Sequence, residues 1–343
     1  MKRMFRGWTW EATLAVLILL CAAWATSLSP FYLDPDQILY SLQQALAVAG
    51  LLAGGLMMIV IAGEIDISLP ATLAMGTIVF ARMSEAGLPL WLALPTVILL
   101  GVCAGLVNGL LVVGFGLPSL AVTLGTMSAY RALALWFGGQ EGHADFPASY
   151  IWLGSATLFD ALPLSLLLLA AIFALLALVL HGTVFGRLLY MIGANPVAMR
   201  FSGIRVGAVK VAAFAAAGGI TGLAALVYVG QFESARADNA GEILLFVVAA
   251  VTLGGIDVFG GRGHVAGVFL ALLLLGTIKN GMGLANLPGP VQTLILGALL
   301  VGSVAIPQLA RLRLRPRRGA ANPDAAGVPR PAVPPHGARE EKT

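Results

Sequence analysis

The sequence has 343 residues, 59% of them apolar and only 10% Asp, Glu, Lys or Arg, with a formal net charge of +4. A soluble globular domain carries about 45–50% apolar and about 25% charged residues, and here eleven of the charges crowd into residues 311–343. Such a chain cannot cover its surface with polar groups, which excludes a soluble enzyme, a secreted disulfide scaffold and a disordered protein and leaves an integral membrane protein.

In chain order, ten apolar stretches have the length of about 17–25 residues that a membrane-spanning helix needs. They cover roughly 12–29, 38–62, 68–84, 89–113, 117–138, 161–181, 209–231, 242–258, 264–282 and 289–306. The pattern predicts an all-α, polytopic membrane helix bundle of about ten transmembrane helices. The eighth stretch is interrupted near its end by Gly254, Gly255, Gly260, Gly261 and Gly263. A half-helix or re-entrant element is expected there, since broken backbone survives at membrane depth only where protein or a cavity surrounds it. Cys21 and Cys103 both sit inside apolar runs and read as small hydrophobes rather than a disulfide.

Lys and Arg accumulate on the cytoplasmic side of a membrane protein. Lys2, Arg3 and Arg6 precede the first stretch; Arg187, Arg200, Arg205 and Lys210 fill the loop after the sixth; Arg311, Arg313, Arg315, Arg317 and Arg318 follow the tenth. All three clusters fall on one side when the span count is even and both termini are cytoplasmic. A cleaved leader over residues 1–25, ending at Ala23-Trp24-Ala25, is the competing reading of the first stretch. Residues 1–310 then form the transmembrane domain, with the polar segment 184–207 on its cytoplasmic face. Residues 311–343, rich in Arg and Pro, are expected to be a disordered cytoplasmic tail whose basic start anchors on anionic lipid rather than nucleic acid. The outer loop 139–160, with Phe146, Tyr150 and Trp152, reads as an interfacial amphipathic segment.

Several chemistries are missing. A phosphate-cradling loop ends in Gly-Lys-Ser/Thr, and none of Lys2, Lys210, Lys279 and Lys342 follows a glycine. The four histidines, His143, His181, His264 and His336, lack metal-ligand spacing, so no metal site is expected. An ion-coupled carrier keeps ionisable groups at the bilayer midplane. Here Glu64 and Asp66 fall at the inner junction of the second and third stretches, Arg131 in the outer part of the fifth and Lys279 near the outer end of the ninth. Energy therefore has to come from another subunit.

Small residues recur four apart at Gly50 and Gly54, at Gly101, Gly105 and Gly109, at Gly218 and Gly222, and at Gly263 and Gly267. Such faces let helix backbones approach closely, chiefly within one subunit. The segment 184–207 is too polar to span and mixes an apolar stripe (Leu188, Leu189, Ile192, Val197, Met199, Phe201) with Arg187, Asn195, Arg200 and Ser202. Asn195-Pro196 suits a helix start and Gly203 a helix stop. Composition alone fits either a docking surface for a soluble partner or a helix lying on lipid headgroups.

Gly186, Arg187, Tyr190, Gly193, Asn195, Ala198, Ser202, Gly203 and Ile204 follow the pattern G-R-x-x-Y-A-x-G-x-N-x-x-A-A-x-x-S-G-I, departing from it at Met191 and Met199. In this the segment resembles the cytoplasmic motif of carbohydrate ABC-importer permeases, the ribose/xylose/rhamnose group. Further likenesses to that family lie in Gly63-Glu64-Ile65-Asp66-Ile67-Ser68 (with Pro70 in place of a glycine), Leu117-Pro118 with Thr123 to Thr126, and Val251 to Gly255 with Gly260 to Gly263. Asn108-Gly109 and Asn280-Gly281 fit as well. Gly125-Thr126-Met127 with Tyr130-Arg131, and Glu233 to Arg236, resemble the rhamnose and furanosyl-signal importers in particular.

The resemblance implies a permease subunit of the bacterial inner membrane that binds no cofactor itself. ATP and magnesium would sit on a partner ATPase, a second permease subunit would complete the pore, and a periplasmic binding protein would deliver a sugar or sugar-like solute. Coupling to the ATPase would run through Gly186, Arg187, Gly193, Asn195, Pro196, Ala198, Arg200, Ser202 and Gly203. The polar groups near helix breaks, Asp66, Ser68, Asn108, Ser119, Thr123 and Thr126, are the expected translocation path, a weakly polar lining that passes hydroxyls without trapping them. Asp66 also fits a purely structural role as a cap of the third span. An amino-acid importer permease, a secondary carrier and a passive channel are the alternatives.

Overall fold

A computed structural model describes residues 9–159, 161–238, 241 and 243–313, with Thr9, Val304 and 306–313 described through their backbone alone. Lys2, Arg3, Arg6, Asp160 and the tail from residue 314 onward, on which part of the orientation and the expected disorder rest, lie outside the described residues.

The elements in order are α1 (Thr9–Leu28), α2 (Pro35–Ile61), α3 (Leu69–Glu85), α4 (Leu90–Gly114), α5 (Ser119–Gly138), α6 (Ala148–Ser155), β1 (Thr157–Leu158), β2 (Leu162–Pro163), α7 (Leu164–Ala177), α8 (Val184–Ala194), α9 (Pro196–Phe201), α10 (Val206–Phe232), α11 (Ile243–Leu253), α12 (Val265–Leu284) and α13 (Gly289–Arg313). A π-helical turn, Leu178–Gly182, continues α7. All ten apolar stretches are therefore helical, and the protein is a polytopic, predominantly helical membrane protein. Among the described residues, seven helices are both long and apolar enough to cross a membrane: α1, α2, α4, α5, α7 with its π turn, α10 and α12. The other three are short: α3 has 17 residues, α11 has 11, and the apolar part of α13 is Gly289–Ser303. At 1.5 Å per residue α11 rises only about 16 Å. It is the half-helix that its glycines foretold. The chain falls into two units, Met1–Val304 and Ala305–Thr343, and the second contributes only the end of α13 to the described residues.

Local chemistry sets the helix starts. Asp34 caps α2, its carboxylate accepting from the Asp36 amide at 3.2 Å, and Pro35 takes the first helical position. Pro70, the departure from the glycine of the resembling motif, lies in the first turn of α3, where a missing N–H costs nothing. From Leu46 to Ile61 every residue of α2 is buried, so this helix is the axis of the bundle. Gly50 and Gly54 receive Leu169 and Leu176 of α7. On α4 and α10 the four-residue spacing brings backbones together: a Cβ on Gly101 would overlap the Gly218 carbonyl oxygen, and one on Gly218 would overlap that of Gly101. The small-residue faces thus serve packing within this chain, through van der Waals contact at close range.

In the outer loop, expected to be an interfacial amphipathic segment, only Tyr150 and Gly154 of the helical residues are buried. Residues 148–155 form α6, which packs on the bundle, and β1 and β2 pair antiparallel behind it, Thr157 opposite Pro163. Tyr150 is buried, donates to the Leu88 carbonyl at 2.6 Å and rests on Phe80 with ring centroids 4.7 Å apart. Gln43 of α2 donates to the Gly154 carbonyl at 2.7 Å. Trp152 alone of the three named aromatics is largely exposed.

Candidate functional site

The polar segment folds as two helices instead of one. Thr183 caps α8 by accepting from the Gly186 amide at 3.3 Å. Asn195, in an extended conformation (φ −159°, ψ 90°), ends α8 and caps α9, its Oδ1 accepting from the Ala198 amide at 3.0 Å. Pro196 then occupies the first position of α9. Gly203 (φ +78°) reverses the chain: its amide bonds the Arg200 carbonyl, and the Ile204 amide bonds that of Met199, closing the helix end. The Asn-Pro start and Gly stop are as the sequence spacing predicts.

Burial divides the residues expected to couple into two sets. Gly186 is buried against the backbone of Val179 and Leu180, and Gly193 is wedged against the Ile61 carbonyl at the end of α2. Arg187, Asn195, Ala198, Arg200, Ser202 and Gly203 are exposed and Pro196 half-buried. No residue of α9 is buried, and Phe201 is 90% exposed. Leu189 and Ile192 hold α8 to the bundle, while Val197 and Phe201 of the same apolar stripe are left bare.

The loop after α11 is the third partner of this junction, and its role was not legible in its glycines alone. The Gly261 amide donates to the Ile61 carbonyl at 2.9 Å, and Gly260 and Gly261 pack against Gly63, Gly193 and Ala194. Tyr190 of α8 donates to the Gly263 carbonyl at 2.9 Å. The end of α2, the end of α8 and the 254–263 loop therefore meet at backbone contact. Lys210, in the second turn of α10, pairs with Glu64 in the α2–α3 link; both side chains are 14% exposed. The spacing between residues 64 and 210 gives no hint of this pair.

The expected path residues come together close by. Asp66 Oδ1 accepts from the Ser68 amide at 2.8 Å and from its hydroxyl at 2.6 Å. Asn108 Nδ2 donates to Ser68 Oγ at 2.8 Å and lies 3.3 Å from Asp66 Oδ2. The Tyr130 hydroxyl, absent from the sequence-level set, donates to the Ala104 carbonyl at 2.9 Å and lies 3.4 Å from Asn108 Oδ1. Ser119 accepts from the Ile65 amide at 3.1 Å, and Thr123 donates to the Ile65 carbonyl at 3.4 Å. Thr126 bonds only its own helix, at the Thr123 carbonyl. Asp66, Ser68, Asn108 and Thr123 are each no more than 1% exposed in this single chain. They form a closed network that pins the α2–α3 link to α4 and α5. Its members satisfy one another, as buried polar groups must.

Comparison with known proteins follows from this geometry. The family described as "Branched-chain amino acid transport system / permease component" matches residues 38–304, which include both the junction and the network. The autoinducer 2 import system permease protein LsrD of Enterobacter sp. (strain 638) is 36% identical over 298 residues, covering 85% of this chain and 90% of that protein. LsrD of Klebsiella pneumoniae is likewise 36% identical, over 85% of this chain and 89% of its own. LsrD of Yersinia pseudotuberculosis serotype O:1b is 31% identical over 304 residues, 87% of this chain and 91% of that protein. No solved structure gives a significant match. The chain belongs to this family of transport-system permease components: it is a multi-pass membrane permease, not an enzyme.

Proposed function

We propose that this chain is a membrane subunit of a bacterial inner-membrane ATP-binding-cassette importer for a compact, hydroxyl-rich, sugar-like solute. A separate ATPase, holding ATP and magnesium, docks on α8 and α9; a second permease subunit completes the pore; a periplasmic binding protein delivers the solute. The single observation that carries this reading is the exposed lever of α8 and α9. Its outer surface presents Val197, Phe201, Arg187 and Arg200, while its inner surface is wedged at Gly193 against the axis of the bundle. A push on α9 passes through Asn195 and Gly193 to the Ile61 carbonyl and the Gly261 amide, and so to α2 and the half-helix α11 together. Close packing transmits such a displacement because a filled core does not absorb it.

The topology that goes with this reading is ten spans with both ends inside. Support comes from helices at all ten apolar stretches and from Arg187, Arg200, Arg205 and Lys210 at the same end as α9. Residues 1–310 are the permease domain, and 311–343 a basic, Pro-rich cytoplasmic tail on anionic lipid. Asp66, Ser68, Asn108, Ser119, Thr123 and Thr126 set the shape of the path from behind its wall, with Asp66 acting as the cap of the α2–α3 link. The relatives' printed role favours autoinducer 2 as a solute to try first.

The test is uptake by the assembled transporter in proteoliposomes. Autoinducer 2 accumulates only when ATP is supplied to the ATPase side, and a protonophore leaves this unchanged. Accumulation that ignores ATP and collapses with a protonophore identifies a secondary carrier; flux that only runs downhill identifies a channel. ATP-driven uptake of branched-chain amino acids instead supports the reading that the family's description favours.

A further inference from the structure

A cavity of about 530 Å³ lies among α2, α10, α11, α12 and α13, within the range of about 300–1,000 Å³ typical of small-molecule sites. It is bounded by the stretch Gln44–Ala49 of α2, the first turns of α11 and α13, the last turns of α10 and Lys279 near the end of α12. The α8–α9 lever meets α2 at Ile61, about 18 Å along that helix from Ala49 at the cavity. None of the residues in the Asp66–Asn108 network lines it.

Its walls are amphipathic. Tyr228 and Phe232 present paired rings with centroids 4.6 Å apart. Lys279, on the apolar helix α12, holds its ammonium 5.9 Å from the centre of the Phe246 ring and has no carboxylate partner among the described residues. An ionisable group in a membrane helix is costly and is retained where it faces a partner or a wet cavity. The Gln44 side-chain carbonyl accepts from Gln231 Nε2 at 3.1 Å, and its N–H donors have no hydrogen-bond partner among the described residues. Gln292 gives its amide N–H to the Leu287 carbonyl at 2.9 Å, which leaves its carbonyl oxygen as an acceptor. On the exposed rim Arg236 and Asp238 pair at 2.9 Å, and the Arg236 hydrogen bond holds the Asp238 carboxyl below its ordinary range, keeping the rim charged.

A lipid chain in this space would strip water from Lys279 and two amides without replacing a single hydrogen bond. Asp238 neutralises Arg236 at the rim, and the remaining ammonium, Lys279, donates to hydroxyl oxygens. Aromatic faces beside separate donors and acceptors instead suit a molecule with an apolar C–H face and a ring of hydroxyls. We infer that this cavity is a holding site for an uncharged, monosaccharide-sized polyol, set back along α2 from the lever. The inference rests on the importer reading and names where this subunit first takes hold of its solute.

The experiment uses the complete transporter in vesicles, with autoinducer 2 and L-rhamnose as probes. In a chain carrying Cys21→Ala and Cys103→Ala, Thr293→Cys is labelled with a maleimide with and without excess probe, beside Ser128→Cys on the exposed face of α5 as control. The expected result is protection at position 293 and none at 128. Lys279→Met and Gln44→Leu each raise the half-saturating concentration for uptake by about tenfold, as losing a hydrogen bond at a charged or buried group does. Wild-type uptake with no protection and unchanged saturation in both variants overturns the holding site and leaves the importer reading standing. Protection by leucine but by neither probe overturns the polyol class. If the wild-type transporter accumulates neither probe with ATP, the importer reading fails and the holding site falls with it.

Discussion

Gly193 on α8 sits so close to Ile61 on α2 that a methyl group at its Cα would occupy the space of the Ile61 carbonyl oxygen, which the Gly261 amide also uses. Three backbones share one small volume, so the ends of α2, α8 and the 254–263 loop move as one body. Gly193→Ala should cost about 1–3 kcal/mol, the range for overfilling a packed core. Thermal unfolding in detergent should drop accordingly, and ATP-driven uptake should fall further than the residual folded fraction explains. Wild-type melting and uptake in this variant contradict the shared-backbone junction.

The α9 caps make separate predictions. Asn195→Ala removes the acceptor for the Ala198 amide, a loss of about 1 kcal/mol. Amide exchange across residues 197–201 should then quicken about fivefold. Asn195→Asp keeps the acceptor and should leave exchange nearly unchanged. Gly203→Leu forces a branched side chain to φ +78°, at about 1–2 kcal/mol, and should lower uptake without reducing membrane insertion. Equal exchange rates in Asn195→Ala and wild type would show that the cap does not hold α9.

These caps were legible because a turn needs particular residue types at fixed offsets. Asn195, Pro196 and Gly203 declare α9 at its ends, and the ten apolar stretches declare the helices by length. The half-helix α11 was readable from Gly254 and Gly255. What joined these parts was not. The Glu64–Lys210 pair, the Tyr190 bond to Gly263 and the addition of Tyr130 to the polar cluster link residues far apart in the chain. Only tertiary packing brings them together. Likewise the composition of α6 reads as a surface segment, and the bond that fixes its inner face, from Tyr150 to the Leu88 carbonyl, is invisible in composition.

Glu64 and Lys210 provide a third test. With both side chains largely screened from solvent, replacing one leaves its partner without an opposite charge, and Glu64→Gln or Lys210→Met should each cost about 2 kcal/mol. The exchange Glu64→Lys with Lys210→Glu should recover part of the loss. A double-mutant cycle on melting temperature reads the coupling, and strictly additive single effects rule out a direct pair.

In the polar cluster, Asn108→Ala takes away the donor that serves Ser68 and neighbours Asp66, leaving buried acceptors underserved at about 1–3 kcal/mol. Asn108→Asp should be worse at neutral pH, because two buried carboxylates face each other, and should recover as the pH falls and one takes a proton. Melting followed from pH 8 to pH 5 checks the sign. A stability of Asn108→Asp that does not rise relative to wild type on acidification contradicts the network geometry.

The most direct measurement concerns the bare surface of α9. In a chain carrying Cys21→Ala and Cys103→Ala, Phe201→Cys is exposed to a membrane-impermeant maleimide in inside-out and in right-side-out vesicles, with and without the ATPase subunit. Labelling is expected from the cytoplasmic face alone, with suppression once the ATPase is bound. Labelling from the outer face, or labelling that the bound ATPase leaves untouched, contradicts a cytoplasmic α9 that docks the ATPase.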